Sequence, residues 1–328
     1  MSATAALGLP ALATLFALRK GSLSRGGIAA SWIVGPVTGW AAHHLSAHLY
    51  GFFFLSSLAT RVGERVKRSI EGAAFKNGGK RTAMQVFCNG GFQTLVAAAY
   101  ILTVRDAREL GHHHKSFWAR VLTAAHLSGY ACAAGDTWAS EFGVLSASLP
   151  RLITAPWRVV PRGTNGGISV LGTVASAAGG ASIGLAQVLC EWVYGMLSAE
   201  NMKVYVQKRW RSPSALRLAC SVLGQSTCAG VFGSLVDSLL GATLQYSGTT
   251  ASGTIVNAPS PSARRLVNRW NWNLLDNDQV NVAAIVLTMV FGGLTTEWFH
   301  GKTGDDDDDD DKLTLSAATR RAGVRKLL

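Results

Sequence analysis

The chain has 328 residues, of which 48% are hydrophobic and only 15% charged, and its mean hydropathy is +0.21. This balance, with 36 glycines, is that of a helical membrane protein rather than a water-soluble domain. The formal net charge is +12, but the basic residues fall between apolar segments, and no nucleic-acid-binding module is present.

In chain order, the candidate spanning segments are Ala3–Leu18, Gly26–His43, Leu45–Thr60, Ala83–Val104, Trp118–Ala134, Ile168–Leu197, Ala215–Gln245 and Gln279–Phe299. Several fall short of the roughly 20 residues needed to cross a bilayer unaided. The expected fold is therefore an all-α polytopic membrane bundle of six to eight transmembrane helices over residues 1–300. Glycines 172, 179, 180 and 184 leave open whether Ile168–Leu197 is one helix or a broken one, and Ala215–Gln245 poses the same question. The apolar runs are too long and too uniform for strands or a transmembrane barrel. Ala3–Leu18 lacks the basic start and cleavage site of a secretory signal.

Between the segments lie polar stretches. Arg61–Glu71 reads as a basic juxtamembrane helix or a cationic clamp on phosphate. His112-His-His114 reads as a polar loop, and the five cysteines read as small buried residues. Ser247–Arg265, rich in Ser, Thr, Gly and Pro, reads as a flexible loop. Residues 301–328, with Asp305–Asp311 and the basic Arg320–Lys326, read as a disordered tail. Trp32, Trp40, Trp157, Trp192, Trp270 and Trp298 stand near segment ends, as interfacial anchors do. The distribution of Lys and Arg assigns the loops around Gly21-Ser-Leu-Ser24, Lys80-Arg81, Asp136–Glu141 and Gly163–Asn165 to one face, the cytosolic one or its equivalent.

The chemistry concentrates in these loops. Gly135-Asp136-Thr-Trp-Ala-Ser-Glu141 sets two carboxylates beside apolar sequence, and Gly163-Thr-Asn-Gly-Gly-Ile-Ser169 adds clustered glycines. Carboxylates near hydrocarbon are retained for ion or substrate chemistry, and successive backbone N–H groups in Gly-rich turns form anion nests. The pattern implies a metal-and-phosphate site. Asp136 is the best candidate carboxylate for Mg²⁺, or else a helix N-cap. On a helix Glu141 would lie roughly 140° around the axis from Asp136. Either the helix begins after Asp136 or the two acids serve different ligands. Asn165 is a turn residue or a metal or leaving-group contact. Gly163, Thr164, Gly166, Gly167 and Ser169 are the candidate phosphate cradle. Lys80 and Arg81 are candidate phosphate cations. Asp237 stands alone among about thirty apolar or small residues, so it is expected to face the bundle interior, joining Asp136 with Mg²⁺ or a basic residue such as Lys80 or Arg81. Asp276 is a helix cap or a further acid.

Seven ordered motifs are similar to those of one family: Gly21-Ser-Leu-Ser24; Gly79-Lys-Arg81 with Gln85 and Asn89-Gly90; Gly135–Glu141; Pro150-Arg-Leu-Ile-Thr154; Gly163–Ser169; Gly233-Ser-Leu-Val-Asp237-Ser-Leu-Leu-Gly241; and Asp276 with Val280-Asn281. Together they resemble the transmembrane protein 19 family, also called the domain of unknown function 92 family, over roughly Leu18 to Phe299. That family includes the phytyl-phosphate kinase of plants and cyanobacteria. The resemblance implies a chloroplast-envelope or endomembrane protein that moves phosphate from a nucleoside triphosphate, CTP or another, to a prenyl monophosphate with Mg²⁺. Gly135-Asp136 also looks distantly like phytol kinase, dolichol kinase and CDP-diacylglycerol synthase. No Walker loop occurs. The competing readings are a transporter, with Asp136 and Asp237 in an ion path and broken Gly-rich helices, and a non-enzymatic membrane protein.

Overall fold

The structure is a computed structural model that describes residues 3–64, 80–105, 112–198, 213–251, 255–257, 259, 261, 263–267 and 273–300, with backbone alone at 3–6, 105 and 112–116. Most of Arg61–Glu71, Trp270 and the whole 301–328 tail lie outside the described residues.

The described helices are α1 (Ala3–Lys20), α2 (Arg25–Ala41), α3 (His43–Ala59), α4 (Ala83–Tyr100), α5 (His112–Gly143), α6 (Val170–Ser198), α7 (Pro213–Leu244), α8 (Asn277–Leu294) and α9 (Thr296–His300). A short π-helical turn, Ile101–Arg105, extends α4. Local signals set the starts. Ser24 accepts from the Gly27 amide to cap α2, and Thr82 and Gln85 form a reciprocal capping box on α4. Asp276 and Gln279 do the same on α8, which selects the cap among the roles open to Asp276.

Four described helices are long and apolar enough to cross a membrane: Ala83–Val104, Val170–Leu197, Pro213–Leu244 and Asn277–Leu294. Among the described residues these four are fewer than the six to eight expected. Helices α2 and α3 have 17 residues each, which at 1.5 Å per residue span about 25 Å, less than a hydrocarbon core. Helix α1 ends in Arg19-Lys20, and α5 is long but carries His112–Lys115, Arg120, Asp136 and Glu141.

Helix α5 needs no lipid-facing apolar surface, because it is the axis of the bundle. It packs against α3, α4, α6, α7 and α8, and its residues 126–135 are buried all round. The main core gathers Leu127, Tyr130 and Cys132 of α5 with Phe52 of α3, Ile183 of α6, Val222 of α7 and Ile285 of α8. Helices α6 and α7 are both unbroken, and their glycines serve packing. A Cβ on Gly135 would stand 2.6 Å from Gly230 O; one on Gly179, 2.7 Å from Ala134 O; one on Gly180, 2.9 Å from Gly230 Cα. Three helix backbones thus meet at one point. Close approach through small residues is how helices associate where lipid gives no hydrophobic drive between them.

Two small antiparallel sheets sit in the loops, where no strand was expected. The first has the order β2 (Ala155–Val159), β1 (Arg151–Leu152), β3 (Gly167–Ile168). The second has the order β5 (Ile255–Val256), β4 (Gly248–Thr250), β6 (Ala263–Arg265), so the described part of Ser247–Arg265 is paired rather than a flexible loop. Leu152, Val160, Ala242 and Val267 pack together, fastening both sheets to the end of α7. The backbone of His112–His114 opens α5 rather than forming a loop. Trp157 and Trp298 are 80% and 78% exposed, as interfacial side chains are.

The glycine contacts predict a contrast. Gly135→Ala forces a methyl onto the α7 backbone and should destabilise by about 1–3 kcal/mol, whereas Gly8→Ala in α1, where a Cβ meets nothing within 4 Å, should be neutral or stabilise by up to about 1 kcal/mol. Thermal unfolding of the detergent-solubilised variants checks both. Equal melting temperatures would remove the junction from the account.

Candidate functional site

Helix α5 runs unbroken through Asp136, which therefore is not an N-cap: it stands two turns from the helix end. Because the helix is continuous, Asp136 and Glu141 point to different neighbours. Asp136 directs its charge toward α7, where Asp237 registers it. Cys132, one turn earlier on α5, lies within range of both carboxylates. Asp237 Oδ2 is buried and makes no hydrogen bond. Two carboxylates sharing an interior location repel, and each needs a cation, a shared proton or donors to remain there. Asp237 faces inward for a geometric reason. Gly230, Gly233, Asp237 and Gly241 recur at helical spacing, and the first two of them press on α5.

Glu141 faces Arg81 instead. The Arg81 backbone is clamped to the Gly21–Ser24 loop: its N–H donates to Ser22 O at 3.0 Å, and its carbonyl accepts from Ser24 N at 2.9 Å. Gly27 packs so closely on this strand that a Cβ would stand 2.6 Å from Arg81 O. The half-buried guanidinium donates to Ser57 Oγ at 3.3 Å and lies 5.1 Å from the Phe52 ring centroid. Burial pushes Arg81 down to about 10, with Glu141's charge acting in the opposite sense. The guanidinium edges an apolar cavity lined by Pro10, Ala13, Val34, Leu49 and Phe53, with Gln85 and Asn89 of α4 beside it. Lys80 is exposed.

The Gly163–Ser169 loop is built differently from a phosphate nest. Thr164 N donates to Pro161 O, Asn165 N to Ser247 Oγ, and Gly167 N to Thr164 O, so these amides are already engaged. Ser169 accepts from Gly172 N and caps α6. Gly163 and Gly166 have φ of +84° and +76°, which only glycine adopts without cost. A Cβ on Gly166 would also stand 2.8 Å from Ser238 O, so this loop lies on α7 next to Asp237. Asn165 Nδ2 donates to Tyr246 O at 2.9 Å. Its Cβ is 3.5 Å from a Cβ built on Gly241, one helical turn beyond Asp237. Asn165 also borders a polar cleft of about 410 Å³ that includes Gln245, Asn257, Asn273, Asp276 and Asn277.

The structure thus draws Asp136, Asp237, Asn165 and Gly166 to the second half of α7, and sets Arg81 with Glu141 on another side of α5. Sequence reasoning passed over a further polar group. His43, His44 and Glu191 cluster, and behind them His48 bonds His126. The signals were there: His44 and His48 are one turn apart, and Glu191 is the one charged residue of α6.

A helical bundle with membrane-length helices and inward charges defines an integral membrane protein. The family model described as integral membrane protein DUF92 matches residues 8–289, and the chain belongs to that family. It is 35% identical over 272 residues to Protein PGR of Arabidopsis thaliana, covering 82% of this chain and 88% of that protein. It is 28% identical over 246 residues to an uncharacterized membrane protein of Methanocaldococcus jannaschii, covering 75% of this chain and 74% of that one. It is 29% identical over 186 residues to Protein VTE6, chloroplastic, also of Arabidopsis thaliana, covering 56% of this chain and 50% of that protein. No solved structure matches.

Asn165→Ala removes the bond to Tyr246 but leaves the backbone bond to Ser247, so it should lower stability by about 1 kcal/mol. Thermal unfolding measures this. An unchanged melting temperature would show that the side chain holds no structural load and is free for a ligand.

Proposed function

We propose that the chain is a membrane-embedded kinase that transfers phosphate from a nucleoside triphosphate to a prenyl, phytyl-like monophosphate. The observation that carries this reading is the Asp136–Asp237 pair with its buried, unbonded Asp237 Oδ2. The pair fits Mg²⁺, a hard cation that takes one or two carboxylates and completes its shell with phosphate and water. When bound, the ion would neutralise charge on the phosphate oxygens.

Phosphoryl transfer asks mainly for positioning and charge compensation. An oxygen of the prenyl phosphate forms a bond to the γ-phosphorus. The bond from that phosphorus to the β–γ bridging oxygen breaks, and the nucleoside diphosphate leaves with the electron pair. The incoming phosphate oxygen is already ionised near neutral pH, so no general base is required. Arg81 supplies a guanidinium at the edge of an apolar cavity, the arrangement suited to an amphiphile with a charged head and a hydrocarbon tail. Ser57 and the Phe52 ring hold that guanidinium, and Glu141's charge favours its protonated form. The cleft beside Asn165 suits the base and ribose of a nucleotide, since the Asn and Gln amides that line much of it can pair with both; its one carboxylate, Asp276, already accepts from the Gln279 backbone amide. The continuity of α6 and α7 removes the broken helices that favoured a transporter. The family resemblance supports the same chemistry in a chloroplast-envelope or endomembrane setting.

Reconstituted protein, γ-labelled nucleoside triphosphates and a panel of prenyl alcohols and monophosphates test this. A labelled prenyl diphosphate is expected with Mg²⁺. Outer-shell partners of a metal cost 10–100-fold when lost, so Asp136→Asn and Asp237→Asn should each cost at least about 100-fold. Neither should lower the melting temperature, because each removes one of two repelling charges. Full turnover in either variant would contradict the reading.

A further inference from the structure

We infer that His43, His44 and Glu191 form a second metal site, built for a borderline divalent ion of the Zn²⁺ class. It lies where the first turn of α3 meets α6. One Glu191 oxygen is 3.2 Å from His43 Nε2, and the other is 3.4 Å from His44 Nδ1. The three donors lie within 4.8 Å of one another. Zn–N and Zn–O bonds of about 2.0–2.1 Å in a tetrahedral shell set ligand atoms about 3.3 Å apart; the two nitrogen–oxygen separations here, 3.2 and 3.4 Å, are close to that spacing. Two imidazoles with one carboxylate form a mixed nitrogen–oxygen set, the choice of Zn²⁺ and its neighbours rather than of Mg²⁺ or Ca²⁺.

The surroundings orient the ligands as metal sites do. The far nitrogen of His44, Nε2, is 3.1 Å from Thr123 Oγ1 of α5. If Nε2–H donates there, Nδ1 turns its lone pair to the Glu191 side, the orientation a metal ligand needs; if the Thr123 hydroxyl donates instead, Nδ1–H bonds Glu191 directly. The His43 ring stacks on Tyr194 at 4.0 Å between centroids and 10° between planes. Behind them, His48 Nε2 lies 2.8 Å from Gln187 Oε1, which can only accept, so that nitrogen carries the proton. His48 Nδ1 then accepts from His126 Nδ1 at 2.9 Å, and His126 Nε2 is left as a bare, buried lone pair with no hydrogen-bond partner. The His43, His44 and Glu191 side chains keep 25%, 13% and 32% exposure, so an ion has a way in. Bound there, it would tie α3 to α6.

The test uses the full-length protein in detergent with its affinity tag removed. It is stripped with chelator, loaded with Zn²⁺ and, separately, with Co²⁺. The metal-to-protein ratio and the Co²⁺ ligand-field spectrum are measured beside the melting temperature. One ion per chain, a melting temperature that rises with Zn²⁺, and loss of both in Glu191→Gln and in His44→Gln are expected, with both metal-free variants melting near the metal-free parent. The same loading is repeated in an Asp136→Asn background, which removes the proposed Mg²⁺ site on α5 and α7, and there Mg²⁺ at the same concentration should give neither effect. Three results would overturn the inference. The first is unchanged binding in both variants. The second is binding lost only when His112, His113 and His114 are replaced. The third is no binding by the parent, with Glu191 simply hydrogen-bonded by the two imidazoles. The kinase reading stands or falls separately, because its acids lie on α5 and α7.

Discussion

Contact between backbones at Gly135, Gly179, Gly180 and Gly230 is the constraint on which this molecule depends. In lipid, apolar side chains gain little by leaving hydrocarbon for a protein interface. Helices must instead gain packing, and they pack best where a missing Cβ lets the main chains approach. Here α6 crosses α5 and α7 at the same level, and α5 becomes a buried axis. Asp136 is the residue after Gly135, so the same contact that joins the helices fixes where the carboxylate emerges. Seven residues beyond Gly230, on the same face of α7, stands Asp237. The acid pair is therefore a product of helix packing.

The continuity of α5 divides the chemistry. Five residues on a helix turn Glu141 away from Asp136, toward Arg81 and the apolar cavity. Glu141's charge acts on the Arg81 guanidinium, while Asp136's acts on a second carboxylate, Asp237. Each has its own supporting loop. The clamp between Ser22–Ser24 and Arg81 fixes the guanidinium. In the Gly163–Ser169 turn the Thr164, Asn165 and Gly167 amides bond Pro161, Ser247 and Thr164, and Gly166 lies against α7.

Much of this was legible in the sequence. Long apolar runs with many glycines specify membrane helices, and a lone acid such as Asp237 in one of them must turn toward protein. The Asp276–Gln279 spacing is a cap by local geometry alone. Other features depend on partners distant in sequence. Gly172 to Gly184 leaves a break open until the neighbouring backbones are seen against it. Arg151–Leu152 and Gly248–Thr250 are too short to show alternation, and they pair only because helix ends bring their partners near. Lengths of 17 residues in α2 and α3 sit at the short end of what crosses a bilayer, so length alone does not separate spans from other helices. The histidines were missed because His43, His126 and Glu191 are more than sixty residues apart, and each alone reads as a core or capping residue.

The central claim is that the helix junction holds Asp136 and Asp237 as one cation site. Anomalous diffraction from crystals soaked in Mn²⁺, as a stand-in for Mg²⁺, with a non-hydrolysable nucleoside triphosphate tests it most directly. The account predicts an anomalous peak between the two carboxylates, with the nucleotide's phosphates against it. A peak found only elsewhere, with Asp136 and Asp237 bare at saturating Mn²⁺, would contradict it.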